Sequence, residues 1–79
     1  MKKLKFRLRE LMAERTRKTG EPCTYRIIYD VTGVSPNTLS AMAQGDMKMV
    51  GISVLERLLE YFDCDVGDLL VYEQERQVG

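Results

Sequence analysis

Gly33 constrains the fold of this chain more than any other residue, because of what stands on either side of it. Residues 25–44 read YRIIYDVTGVSPNTLSAMAQ. An apolar helical pattern runs into Thr32-Gly33-Val34, and a left-handed glycine turns the chain there without steric cost. Ser35-Pro36 follows at once, an N-cap residue and then proline at the first helical position, which together start a new helix. Ile28 and Val31 on the first helix, and Leu39 and Met42 on the second, fall at helical spacing around the turn. This order is a helix-turn-helix, a pair whose second helix can lie in a DNA major groove. The competing reading is a helical hairpin that only packs.

Seventy-nine residues allow one small domain with a modest core, and an apolar content of 44% is too high for general disorder. No apolar run reaches the length of a membrane span, and Lys2-Lys3 leads into alternating charge rather than a signal sequence. The expected location is therefore cytoplasmic. Two cysteines, Cys23 and Cys64, and no histidine make a metal site improbable on ligand count. Both cysteines read as small apolar residues. Without histidine, a metal cluster or a glycine-rich phosphate loop, an enzyme is the weakest functional class. No cofactor, small-molecule ligand or membrane partner is expected.

The net charge is zero, but its distribution is uneven. Residues 1–26 carry nine Lys and Arg against three acids, and residues 27–79 carry three against nine. A domain so polarised could offer phosphate a basic face, or its two halves could simply neutralise each other in the fold.

Along the chain, Lys3–Arg9 alternates bases with apolar residues. In a helix Phe6 would point about 200° from Leu4, whereas in a strand Leu4, Phe6 and Leu8 share a face. Residues 2–7 are thus expected to be extended. A helix over Leu8–Arg17 follows, with Leu8, Leu11 and Met12 inward, and then a polar loop over Lys18–Cys23. Thr24 reads as the N-cap of a helix to Val31, and Ser35–Ala43 as the next helix, closed by Gly45. Ile52–Phe62 is amphipathic, with Leu55, Leu58, Leu59 and Phe62 on one face. Asp65, with Asp68 three residues on, starts a short last helix, and Leu69–Tyr72 reads as a second extended segment able to pair with residues 4–7. The expected fold is mainly α: a compact bundle of about five short helices containing a helix-turn-helix, with a small two-stranded pairing of the chain ends. Residues 1–72 form the domain and residues 73–79 a polar tail.

With Thr32-Gly33-Val34-Ser35, Asn37-Thr38-Leu39-Ser40 and the later run Val54–Leu58 to Cys64–Leu70, the chain resembles the Xre/Cro-type (lambda-repressor-like) regulators over about residues 8–72. The resemblance implies a double-stranded DNA-binding transcriptional regulator, usually a repressor, acting as a homodimer. It puts base reading on the positions of Pro36, Asn37, Ser40, Ala41 and Gln44, and phosphate contacts on Arg17, Lys18, Thr24, Tyr25, Arg26, Ser35, Thr38 and Lys48. Asn37 could bond adenine bidentately, Ala41 could meet only a thymine methyl, and Pro36 offers no polar group. Asn37 is also ordinary helix-start chemistry.

The chain departs from the family at Tyr25, where glutamine is usual, and at Tyr29, where a small residue lets the two motif helices cross closely. Tyr29 either opens that crossing or turns outward. The expectation is a ring that fills a widened crossing, so that Tyr29→Ala would cost about 2–4 kcal/mol. A longer connection over Arg15–Cys23 adds Arg17 and Lys18 near the motif, as phosphate contacts or as a solvated loop. The alternative function is a protein-interaction module, such as an antitoxin or an accessory subunit of a mobile-element complex. Met47, Met49 and Val50 would serve it as an adaptable surface, or else are buried loop anchors.

Overall fold

The structure, a computed structural model, describes residues 2–74. Its elements run β1 (Lys2–Phe6), α1 (Leu8–Thr19), α2 (Tyr25–Thr32), α3 (Pro36–Gln44), α4 (Ile52–Phe62), α5 (Val66–Leu69) and β2 (Leu70–Gln74). The five helices and the terminal ribbon are those expected from the sequence, with shifts at several junctions.

The helix starts follow their caps. The Thr24 hydroxyl accepts from the Ile27 amide at 3.2 Å, and Ser35 Oγ accepts from the Thr38 amide at 3.2 Å with Pro36 in the first turn. Gly33 and Gly45 both close their helices at φ +79°, a conformation that costs an L side chain roughly 1–2 kcal/mol. The Asp68 carboxylate accepts from the Asp65 amide at 3.1 Å, satisfying a donor at the start of α5.

α1 runs two residues past Arg17, so Lys18 and Thr19 belong to a helix rather than to the loop expected there. The extra turn has local causes. Glu14 and Lys18 pair at 3.2 Å one turn apart, Thr19 Oγ1 donates to the Arg15 carbonyl, and Gly20 closes the helix in the left-handed region.

One core joins the helices: Leu8, Ile28, Val34, Leu39, Met42, Leu58 and Leu69 are all essentially inaccessible. Leu11, Met12, Leu55, Leu59 and Phe62 pack around it half-buried. Val31 does not join them, being 66% exposed. α2 has only two turns, and its inward side is set by Ile28 and Thr32, which leaves Val31 on the flank. Val34, carried inward by the reversal at Gly33, takes the place beside the turn.

β1 and β2 pair antiparallel, with Phe6 opposite Leu70, Leu4 opposite Tyr72 and Lys3 opposite Glu73. Leu69, expected to open the strand, instead ends α5 fully buried, because the Asp65 cap holds it in the helical turn. The Arg7 amide donates to the Leu69 carbonyl at 2.6 Å, tying the ribbon to the start of α1. Lys5 Nζ lies 3.4 Å from Glu73, and Lys2 sits 5.7 Å from the Tyr72 ring centre. The sheet takes in Glu73 and Gln74, beyond the domain boundary expected at Tyr72. The remaining tail, residues 75–79, lies outside the described residues. Among the described residues, no helix is long and apolar enough to cross a membrane.

Candidate nucleic-acid interface

α3 presents one polar arc. At 100° per residue, Pro36, Asn37, Ser40, Ala41 and Gln44 fall within about 140°, opposite the buried Leu39 and Met42. Pro36, Asn37 and Gln44 are exposed, while Ser40 and Ala41 are half-buried. Gln44 Nε2 donates to Ser40 Oγ at 3.1 Å, so two of the candidate base-reading side chains are already aligned along the arc. Asn37 makes no side-chain hydrogen bond among the described residues, and its amide is available to an outside partner. The Ser35 cap frees it of the helix-start role that would otherwise explain it.

The candidate phosphate contacts are distributed over the end of α1, the starts of α2 and α3, and the loop after α3. Ser35 and Thr38 meet at the start of α3, their hydroxyl oxygens 2.9 Å apart. Thr24, Tyr25 and Arg26 open α2. Thr24 is occupied as a cap, Tyr25 packs half-buried against the core, and Arg26 Nε bonds Asp30 at 3.3 Å. Lys18 is paired with Glu14 on the last turn of α1, next to the exposed Arg17. Lys48 stands exposed in the loop after α3. Of the candidate phosphate contacts, Arg17 and Lys48 are the exposed cations with no acidic partner among the described residues.

Tyr29 corrects the expectation made for it. Its side chain is 44% exposed, so the ring turns outward instead of filling the crossing between α2 and α3. The hinge at Gly33 and the docking of Ile28 against the core let the helices meet without it. Tyr29→Ala is therefore expected to lower stability by less than about 1 kcal/mol, as at other surface positions. A thermal melt checks this, and a loss of the size expected for a filled crossing would show that the ring supports the interface after all.

The loop methionines divide. Met47 and Val50 pack half-buried on the core, whereas Met49 is 89% exposed and stands near Ile52, 70% exposed, at the start of α4.

Sequence reasoning gave no notice of a groove of about 730 Å³ behind α2, lined by Ile27, Val31, Cys23, Tyr61, Arg15 and Arg57. Arg15 stacks 4.1 Å from the Tyr61 ring centre, and its Nη1 donates to the Tyr61 carbonyl at 2.8 Å, joining α1 to the end of α4. A contact 46 residues apart leaves no local signal in the chain. Burial pushes the Tyr61 hydroxyl above its ordinary 10.0, aided by Cys23 and partly offset by Arg15. Burial also raises the Cys64 thiol above 9.0, with Asp68, Asp65 and Asp63 adding to it. Both groups hold their protons more tightly folded than unfolded. Their contribution is complete below pH 9 and is lost as pH rises through the folded values. The urea midpoint should fall from about pH 9 upward, and Cys64→Ala should flatten the early part of that fall. An unchanged profile in the variant would remove Cys64 as its source.

The capped α2–Gly33–α3 pair, with its polar arc facing outward, has a counterpart in known sequence families. A family model for the Cro/C1-type HTH DNA-binding domain matches residues 7–75, which spans all five helices and β2. No curated protein and no solved structure shows significant similarity to the chain. On that match the chain belongs to the Cro/C1-type helix-turn-helix DNA-binding domain family.

Proposed function

We propose that the protein is a cytoplasmic, sequence-specific transcriptional regulator, in the repressor mode, which places α3 in the DNA major groove and acts as a homodimer. The single observation that carries this reading is the outward arc of α3, where an unengaged Asn37 lies beside the aligned Ser40–Gln44 pair. Polar side chains held on a rigid helix opposite its packed face are what direct base reading needs. Arg17 and Lys48 supply phosphate contacts, which position the domain without distinguishing sequences. Repression follows from the proposed mode of action, since a domain seated in the major groove of a promoter blocks it by occupying it.

The test is binding to a random duplex pool at two salt concentrations, followed by selection for a preferred site. A DNA reader should enrich a common sequence and lose affinity steeply as salt rises, because counterions released from phosphate recondense. Weak binding with a flat salt response and no enriched sequence would favour a protein-interaction module, for which the exposed Met49 and Ile52 offer an apolar surface.

A further inference from the structure

The groove behind α2 is framed by two helices that run in opposite directions. Cys23 Sγ, just before α2, lies 3.9 Å from the Tyr61 hydroxyl near the end of α4. Gly33, just after α2, faces Arg57 in the middle of α4, whose Nη1 stands 3.6 Å from where a Cβ on the glycine would be. Between these two contacts α2 has eight residues, a length of about 12 Å. Its wall of the groove is apolar. Ile27 and Val31, one turn apart, are 38% and 66% exposed.

The hydroxyls along the groove are spent on nearby backbone. Thr19 Oγ1 donates to the Arg15 carbonyl and accepts from the Glu21 amide, while Thr32 Oγ1 donates to the Ile28 carbonyl and accepts from the Val34 amide. Charge is what remains for a ligand, and it is divided between the two ends. Arg57 is exposed with no acidic partner among the described residues, although Glu60 follows one turn later on the same helix. Opposite charges at that spacing commonly pair, and here both stay open to the groove. At the Cys23–Tyr61 end, Glu21 and Glu60 stand against Arg15 alone. Arg15 is already held by the ring and carbonyl of Tyr61. One end is therefore positive by one charge and the other negative by one.

We propose that this groove binds a short apolar peptide of two or three residues with both termini free. Its carboxylate lies on Arg57, its ammonium between Glu21 and Glu60, and its side chains along Ile27 and Val31. A guanidinium offers a carboxylate paired, charge-assisted donors. Three extended residues span about 10 Å, which matches the distance between the charged ends. The volume, about 730 Å³, suits a small-ligand site and exceeds what one amino acid fills. The site uses none of the side chains on the outward arc of α3.

Isothermal titration calorimetry of the full chain with the tripeptide leucyl-alanyl-leucine is the test. Saturable binding is expected, with half-saturation at or below about 1 mM. Acetylating the peptide's N-terminus or amidating its C-terminus should each weaken binding at least about tenfold, because each removes one charged hydrogen-bonding end. Free leucine and triglycine should both bind more weakly than the tripeptide, the first by length and the second by lack of apolar side chains. Arg57→Gln should lower affinity for the free acid at least about tenfold and leave the amide unchanged. Glu60→Gln should act the same way on the ammonium end, sparing the acetylated peptide. Both residues are exposed, and circular dichroism reports that each variant is folded. No saturable binding at 1 mM of the tripeptide overturns the proposal, as does equal binding of the blocked peptides, of free leucine or of triglycine. Unchanged affinity in Arg57→Gln overturns it too. Duplex enters none of these titrations, so their outcome is independent of the DNA reading.

Discussion

Leu39→Ala is expected to lower the unfolding free energy by about 2–5 kcal/mol, the range found for deleting a buried leucine. Leu39 is fully inaccessible and lies on the back of α3, opposite Asn37 and Gln44. Packing there is close, and a short helix has little freedom to collapse into the space left behind. A domain of this length has a total stability of roughly 4–12 kcal/mol, so the loss removes a large share of it. The melting temperature should fall by roughly 10 °C or more. Gln44→Ala, on the same helix but exposed, should change stability by less than about 0.5 kcal/mol. Urea unfolding of both variants provides the check. If the two shift the midpoint alike, α3 is not docked through Leu39, and the outward direction of its polar arc loses its basis.

Local chemistry explains which parts of this fold were legible in the chain. Thr24, Gly33, Ser35-Pro36, Gly45 and Asp65 each act on their own backbone, so the starts and stops they imply need no tertiary information. The alternation of Leu4 and Phe6 likewise marks a strand whatever it pairs with. Facing in short helices was harder. α2 has two turns and several apolar residues, and which of them turn inward is decided by the helices packed against it. Spacing points Val31 inward and the family pattern points Tyr29 inward, and both face out. The extension of α1 to Thr19 depended on three weak local contacts acting together, against a composition that reads as loop.

The candidate site shows the same division. The arc from Pro36 to Gln44 follows from helical geometry alone, and the Ser40–Gln44 bond is an ordinary contact one turn apart. The availability of each cation was not legible, because it depends on acids placed nearby. Arg26 is turned onto Asp30 and Lys18 onto Glu14, while Arg17 and Lys48 are left to solvent. The Arg15–Tyr61 contact that braces the back of the motif joins distant segments and had no signature at all.

Asn37→Ala is expected to weaken binding to a selected site by about 1–3 kcal/mol, roughly 5- to 150-fold, while leaving random duplex nearly untouched. The reason lies in what the side chain has left to do. Ser35 already caps α3, and the Asn37 amide is exposed without a partner among the described residues. Its removal should cost little stability, so a loss of binding cannot be charged to unfolding. An amide can satisfy the donor and acceptor of one adenine edge together, and alanine can satisfy neither. The preference should therefore relax at one base pair and hold at the others. Lys48→Ala offers the contrast, because a lysine in the loop after α3 meets phosphate of any sequence. That variant should weaken selected and random duplex by similar factors and make the salt dependence shallower by about one unit of slope. Fluorescence anisotropy with both duplexes at several salt concentrations measures all four quantities. Equal losses on the two duplexes for Asn37→Ala would assign Asn37 to the phosphates and leave base reading to Ser40 and Gln44.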